Sequence, residues 1–369
     1  MSEQVAERIR RLVRERGPIT FADYMDAALY GPGGFYMGTP IGSDGDFVTS
    51  PHVHPVFSRL VGIALEELWA MLGRPRPFRL VEVGAGDGTL ASELVAGFAR
   101  GGIDVEYTAI EIGTQARGRL AAITTRVASR LADAERPDPG VVFANELLDN
   151  LPFRRVRRRH DALAEIRVGL DGDRLVEVEL PADAELAAIA PDLEDGAEAV
   201  IPTGAFAFAD ELARVLRRGY AVLIDYGSGG AQAGEVHGYR GHRVVEDVLA
   251  DPGSTDVTAG VDLGAVIDRA QAAGLVSFGT VSQEAALRAL GFHEWMRGEL
   301  DHQGELLNAG RGSEATRTWG GRNRARLLVD PSGLGRLRWL VLATHDLPEP
   351  SWLGRARQRQ SESPPEAPS

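Results

Sequence analysis

Apolar positions near the start of the chain recur at helical spacing, Val5, Ile9, Leu12 and Val13, with charged residues between them. That pattern predicts an amphipathic helix. Gly17-Pro18 stops it, and Thr20 with Asp23 reads as a capping box for a second helix, FADYMDAAL. The next stretch, YGPGGFYMGTPIGSDGDFVTSP, holds too much Gly and Pro for regular structure yet carries Tyr30, Phe35, Tyr36 and Phe47. Two readings fit it: an ordered loop packed by its own rings, or a lid over a neighbouring site.

From Arg79 the pattern changes. RLVEV is an apolar strand that runs straight into G-x-G-x-G at Gly84, Gly86 and Gly88; Leu90, Leu94 and Phe98 then mark one helical face, closed by Gly101-Gly102. IDVEYTAIE is the next strand, ending at Glu111. The alternation continues with VVFAN as a strand, DELARVLRRG as a helix closed by Gly219, YAVLIDYG as a strand and VDLGAVIDRAQAAGL as a helix. Strands are also predicted at 275–281, 325–329 and 335–343. Strands alternating with helices predict an α/β fold, a Rossmann-like, doubly wound and mainly parallel sheet with an antiparallel C-terminal strand.

One interruption stands out. Segments 163–168 and 174–180 flank the turn GLDGD, which predicts a β-hairpin inserted between the fourth strand and its helix. Residues 346–369, ending RQRQSESPPEAPS, lack aliphatic periodicity beyond Trp352-Leu353 and read as a disordered tail. The expected division is N-terminal helices with the lid loop over 1–75, the α/β domain over 76–345 with an insertion at 151–202, and the tail at 346–369.

Composition narrows the function. Forty Lys+Arg against fifty-three Asp+Glu give a net charge of −13, which disfavours nucleic acid as a partner because phosphate neutralisation needs a basic surface. The absence of cysteine excludes disulfides, thiolate zinc sites and cysteine nucleophiles. No apolar run approaches the roughly 20 residues of a membrane span, and the N-terminal helix lacks a signal-peptide apolar core. These features predict a cytoplasmic protein with no membrane partner; the oligomeric state stays open, a homo-oligomer included.

In a doubly wound sheet the ligand binds beyond the carboxyl ends of the strands. The residues there are Gly84 to Gly88, Glu111, Asn145-Glu146 and Asp225-Tyr226. The third glycine comes one residue too early for the dinucleotide fingerprint, so the loop fits S-adenosylmethionine better than a nicotinamide cofactor. Glu82, two residues before Gly84, and Asn145 join the glycines as cofactor-binding candidates. Glu111 follows the loop at roughly the 20-residue offset of a ribose-binding acid, and Asp133 is placed to meet the adenine edge. Glu146 and Asp149 would share a face of a turn, where two carboxyls can clamp a guanidinium; capping of a helix N-terminus explains them as well. Asp46, Phe47, Thr49 and Ser50 are candidates for the acceptor side, with a turn-and-cap role as the alternative. His52 and His54 stand without further ligands at metal spacing and read as loop residues, so no metal is expected. The basic run from Arg154 to His160 is a solvated face or a dock for an acidic partner segment.

The motifs come in a specific order: PITFADYMDAALYGPGGFYMG, GDFVTSP, LVEVGAGDGTL, ANELLDNLP, LIDYG, DVTAGVDL, QEAALRALGF and LGRLRWLVLA. Over roughly residues 18–345 this series resembles the MidA-like family of S-adenosylmethionine-dependent methyltransferases. The resemblance implies a class I methyltransferase fold and, from the family's mitochondrial member, symmetric dimethylation of an arginine in a complex I subunit. It carries the glycine-loop role to Gly84, Gly86 and Gly88, the ribose acid to Glu111, the NE-x-x-D-x-L-P motif to Asn145, Glu146, Asp149, Leu151 and Pro152, and the GDF motif to Gly45, Asp46 and Phe47. The chain departs from the family pattern at Asp87, where a basic residue is usual, at His52, where a glutamate is usual, and within NELLDNLP. Those changes lie in loops expected to line the acceptor pocket.

The resulting expectation is methyl transfer to a nitrogen, an arginine guanidinium of a protein. The alternatives are a small-molecule oxygen or nitrogen acceptor, with a histidine such as His242 as base, and an assembly factor that binds the cofactor without turnover. A nicotinamide oxidoreductase is opposed by the glycine spacing.

Overall fold

The run FRLVEV forms a strand buried on both sides because helices cover both faces of its sheet. In the computed structural model, which describes residues 2–38, 49–228, 235–241 and 243–362, seven strands make the central sheet. They are β1 (Phe78–Val83), β2 (Val105–Ile110), β3 (Arg126–Ala128), β4 (Gly140–Asn145), β5 (Gly219–Asp225), β6 (Val276–Ser282) and β7 (Arg338–Ala343). Their order is β3-β2-β1-β4-β5-β7-β6, and β7 runs antiparallel between β5 and β6. This is the doubly wound, mainly parallel α/β sheet the sequence predicts. The strand order reverses between β1 and β4, which opens a crevice at their carboxyl ends.

Period-two alternation divides the core. Leu80, Phe143, Val222 and Trp339 face the helices Val56–Met71, Thr89–Arg100 and Gln283–Ala289. Val81, Val142, Leu223 and Leu340 face the helices Thr203–Val215 and Leu263–Ala272. The first of these helices ends before Leu216, so Gly219 opens β5 rather than closing the helix; a Cβ there would collide with the Gly140 carbonyl of the neighbouring strand.

The capping box at Thr20 and Asp23 is present, and the helix it starts, Phe21–Met25, continues as a π turn over Asp26–Tyr30. The predicted hairpin is part of a larger sheet. Strands Ala162–Asp171 and Arg174–Pro181 pair antiparallel, and Arg154–Arg159, Glu198–Ile201 and the short Ile19–Thr20 join them. Val5, Ile9, Phe21 and Tyr24 pack against Phe153, Val168 and Val200 of this insertion, so the N-terminal helices share its core.

The basic run is therefore a strand with partners in its own chain. Arg154 meets the fully buried Glu165 at 2.6 Å, Arg155 meets Glu177 and Glu198, and Arg157 meets Glu179 and Glu198. Arg155 also lies over the Phe21 ring at 4.9 Å. The acidic groups that face these arginines thus come from neighbouring strands of the same chain rather than from a partner segment.

Two further expectations are corrected. Segment 325–329 is not a strand: it finishes the helix Gly312–Arg326 and continues as the 3-10 turn Leu327–Val329, because Ala325 and Leu328 bury at helical spacing. Nor is the C-terminus disordered throughout. Ser351–Glu362 is a helix whose Trp352, Leu353 and Ala356 are fully buried, with the Trp352 ring 5.6 Å from Trp339. Residues 363–369 lie outside the described residues. Trp352→Ala is expected to destabilise the protein by about 3 kcal/mol, the cost of emptying an aromatic site in a core. A urea unfolding curve unchanged in midpoint would show that this helix adds nothing to the fold.

Candidate active site

The crevice is lined first by the loop after β1. Gly84, Gly86 and Gly88 have φ of 76°, 56° and 88°, a region that L side chains rarely enter. The loop is pinned from two sides: the Gly84 N–H donates to the Ile110 carbonyl at 2.9 Å, and the Gly86 N–H donates to Glu111 Oε2 at 2.9 Å. The other Glu111 oxygen accepts from the Gly113 N–H at 2.7 Å. Burial raises the Glu111 pKa, and these backbone bonds partly offset the rise. An acidic group after β2 thus stands directly against the glycine loop, with lone pairs left for further donors.

Asp87, just before the Gly88 N-cap, turns its side chain toward the first residue of the helix. Its carboxylate accepts from the Thr89 N–H and hydroxyl, each at 3.0 Å, and lies 3.0 Å from His52 Nε2. Burial opposes its charge, but the bonds from His52 and Thr89 outweigh that and hold its pKa at about 2. Two of the positions where the chain departs from the family pattern, His52 and Asp87, therefore meet each other. His54 goes elsewhere: its Nδ1 accepts from the Val56 N–H at 3.1 Å and its ring lies 4.9 Å from Trp295.

Glu82 lies under the loop, 3% exposed, and accepts from Tyr107 Oη at 2.8 Å. Burial pushes its pKa to about 8, with the tyrosine bond acting in the opposite direction. Asp133 closes a short 3-10 turn after β3, is half exposed and pairs with Arg130 at 3.3 Å.

The second group follows β4. Glu146 has a φ of 52°, left-handed backbone for a residue with a side chain, and its N–H donates to the Ile224 carbonyl at 2.7 Å. Such backbone persists where the surroundings enforce it. The bend brings Glu146 Oε1 to the Ser50 N–H at 3.1 Å and to Asn145 Nδ2 at 3.0 Å. Burial raises its pKa to about 7, and the bonds from Ser50 and Asn145 offset part of the rise. Leu148–Asn150 then form a 3-10 turn rather than a helix start, so Asp149 caps no helix. Its Oδ2 accepts from Thr258 Oγ1 at 3.0 Å, and burial raises its pKa to about 6.

Two further carboxyls, to which the sequence assigned no role, adjoin this turn. Asp225, fully buried at the end of β5, accepts from the backbone N–H groups of Leu147, Leu148 and Tyr226. Burial and then Asp149 raise its pKa. Asp256, 2% exposed, accepts from Tyr36 Oη at 3.0 Å and from Asn150 Nδ2 at 3.2 Å; burial and Asp149 raise its pKa to about 7. Position after a strand marked Asp225, whereas Asp256 carried no signal beyond its place in DVTAGVDL. Neighbouring buried carboxyls repel one another, so a cation placed among them would favour their ionised forms.

On the acceptor side, Thr49 precedes the helix Ser50–Val53 and turns its hydroxyl to His52 Nδ1 at 2.9 Å rather than to a backbone N–H. Ser50 is buried, meets Glu146, and accepts from Gln283 Nε2 at 3.4 Å. Asp46, Phe47 and His242 lie outside the described residues. From the lid stretch, Phe35 is buried, while Tyr30 and Tyr36 stack at 5.5 Å and 15°.

The crevice suits a ligand carrying both charge and apolar surface. Asn145 Oδ1, Asp149 Oδ1 and Ser228 Oγ are buried without a hydrogen-bond partner among the described residues. Unpaired buried polar atoms are costly, and a bound ligand would satisfy them. The spare lone pairs of Glu111, the left-handed glycines open to close approach and the unpaired Asn145 Oδ1 fit the hydroxyls, chain and ammonium of S-adenosylmethionine.

Comparison with known proteins agrees. Residues 60–281 match a family model described as "Putative S-adenosyl-L-methionine-dependent methyltransferase". The chain is similar to the protein arginine methyltransferase NDUFAF7, mitochondrial, of Mus musculus, with 29% identity over 346 residues, covering 82% of this chain and 78% of that protein. The Homo sapiens protein of the same name is 27% identical over 331 residues, covering 79% and 74%. A structure from Burkholderia thailandensis bound to S-adenosyl-homocysteine superposes with a TM-score of 0.81 and 27% identity, covering 95% and 94% of the two chains. The mitochondrial naming of these relatives overturns the cytoplasmic expectation, which the sequence supported only through absent features. The family match spans more than half of the chain and fits the glycine loop and its acid, so the chain belongs to the MidA-like family of S-adenosylmethionine-dependent methyltransferases.

Proposed function

We propose that the enzyme methylates a guanidinium nitrogen of an arginine in a protein substrate. The observation that carries this reading is the convergence of Glu146 and Asp149, with Asp225 and Asp256 beside them, at the strand ends next to the glycine loop. The relatives named above as arginine methyltransferases support it. In this reading Gly84, Gly86, Gly88 and Glu111 hold the cofactor, with Glu82, Asn145 and Asp133 as further contacts to its amino-acid and adenine ends. When bound, the cofactor supplies an electrophilic methyl group on a sulfonium centre.

The chain's own residues do the rest. Glu146 accepts hydrogen bonds from the guanidinium and orients one nitrogen, while Ser50 and Asn145 fix its carboxyl. Asp149 adds the second negative edge. A guanidinium has several N–H groups in one plane, so two carboxyl edges match it where a single charge would leave it free to rotate. Burial excludes water, which strengthens each of these interactions.

Incubation with methyl-labelled cofactor and a cell lysate tests the assignment. Label on arginine of a protein is the expected result; label confined to small metabolites would replace this reading with small-molecule methylation.

A further inference from the structure

Asp256 and Thr258 belong to the DVTAGVDL stretch, which has no task in the reaction as derived so far. Both lie on the strand Asp256–Ala259, where alternation turns them toward the 148–150 turn while Val257 packs into the N-terminal core. Thr258 Oγ1 donates to Asp149 Oδ2 at 3.0 Å. Asp256 accepts from Asn150 Nδ2 at 3.2 Å and from Tyr36 Oη at 3.0 Å. Tyr36 stacks on Tyr30, and Tyr30 Oη donates to the Asn150 carbonyl at 2.9 Å. The circuit closes through Asp256, Tyr36, Tyr30 and Asn150, from three regions far apart in the chain. Beside it, Asp149 Oδ1 is buried with no donor among the described residues.

We propose that this strand is the acceptor-positioning element: by fixing Asp149 through Thr258, and Asn150 and Tyr36 through Asp256, it sets a carboxyl edge beside an aromatic face and so selects a planar cation. The proposal rests on the guanidinium reading above. Thr258 and Asp256 are positioning residues that act through Asp149, Asn150 and Tyr36. A guanidinium can offer N–H groups in its plane to the carboxyl and its flat face to a ring. An ammonium has no such plane, and a neutral urea has no charge to stabilise the ionised carboxyls.

The test is calorimetric titration of the protein loaded with S-adenosylhomocysteine, using the amides of N-acetyl-arginine, N-acetyl-lysine and N-acetyl-citrulline as probes. Wild type is expected to bind the arginine probe in preference to the other two. Thr258→Val keeps the shape but loses the donor to Asp149, and should weaken that binding about tenfold or more, the usual effect of removing a hydrogen bond to a charged group. Thr258→Ser should restore it, and the affinity for S-adenosylhomocysteine should stay within about threefold in both variants, a change near 0.65 kcal/mol. Arginine binding unchanged in Thr258→Val, no rescue by serine, or a parallel loss of cofactor affinity would overturn the positioning role while leaving the arginine reading in place. Wild-type preference for the citrulline or lysine probe, or binding of none, would overturn the arginine reading and this proposal with it.

Discussion

Replacing Gly86 with valine is expected to lower the affinity for S-adenosylhomocysteine by about 100-fold or more, equivalent to about 2.7 kcal/mol. Gly86 sits at a φ of 56° and its N–H donates to Glu111. A β-branched residue in left-handed backbone costs on the order of 1–2 kcal/mol before any contact is considered. Relief of that strain would turn the N–H away from Glu111 and uncouple the acid from the loop. The added side chain also prevents close approach of backbone to ligand. Calorimetric titration measures the effect, with urea unfolding as a check that the fold is intact. Affinity within about threefold of wild type would mean that the glycine loop is not where the cofactor lies.

Glu146→Gln should separate chemistry from cofactor binding. The amide oxygen can still accept from Ser50, so the loop keeps its shape, but the negative charge is gone. The loss of kcat/KM for the acceptor is expected to be on the order of 10²–10⁴, with cofactor affinity nearly unchanged. Equal loss of cofactor affinity in this variant and in Gly86→Val would undo the division of labour between the loops.

pH gives an independent readout. Because burial raises the Glu146 pKa to about 7, the carboxyl is protonated below that pH and cannot serve as a full acceptor for a guanidinium. Wild-type kcat/KM should therefore rise as pH increases through about 7, and Glu146→Gln should flatten that limb. The stability effect has the opposite sense. A carboxyl whose folded pKa lies above its unfolded one favours the fold below the unfolded value, and that contribution fades as pH rises through the folded value. Ligand-free wild type should accordingly lose stability between about pH 4.5 and 7, and Glu146→Gln should lose less of it.

The central strands, the glycine loop and the capping box at Thr20 were legible because each is written in a few consecutive residues. The C-terminal helix was not, because its anchorage consists of Trp352, Leu353 and Ala356 against a core built elsewhere. The basic run reads as exposed charge until the strands fold, since the acids that pair with Arg155 lie 22 and 43 residues further on. Glu111 was singled out by its distance along the chain from the glycine loop, and the fold sets it against that loop. Asp256 was not singled out, since its partner Asn150 lies 106 residues away and its partner Tyr36 lies 220 away.

The sequence by itself determined the alternating strands and helices, the bend at Gly84 to Gly88 and the acid that follows β2. These depend on local periodicity and backbone freedom, which neighbouring residues set. Tertiary structure alone decided which carboxyls share the pocket, and brought Asp256 and Thr258 to the turn after Glu146. Their charge and orientation follow from burial and from distances between groups far apart in the chain, which no local pattern contains.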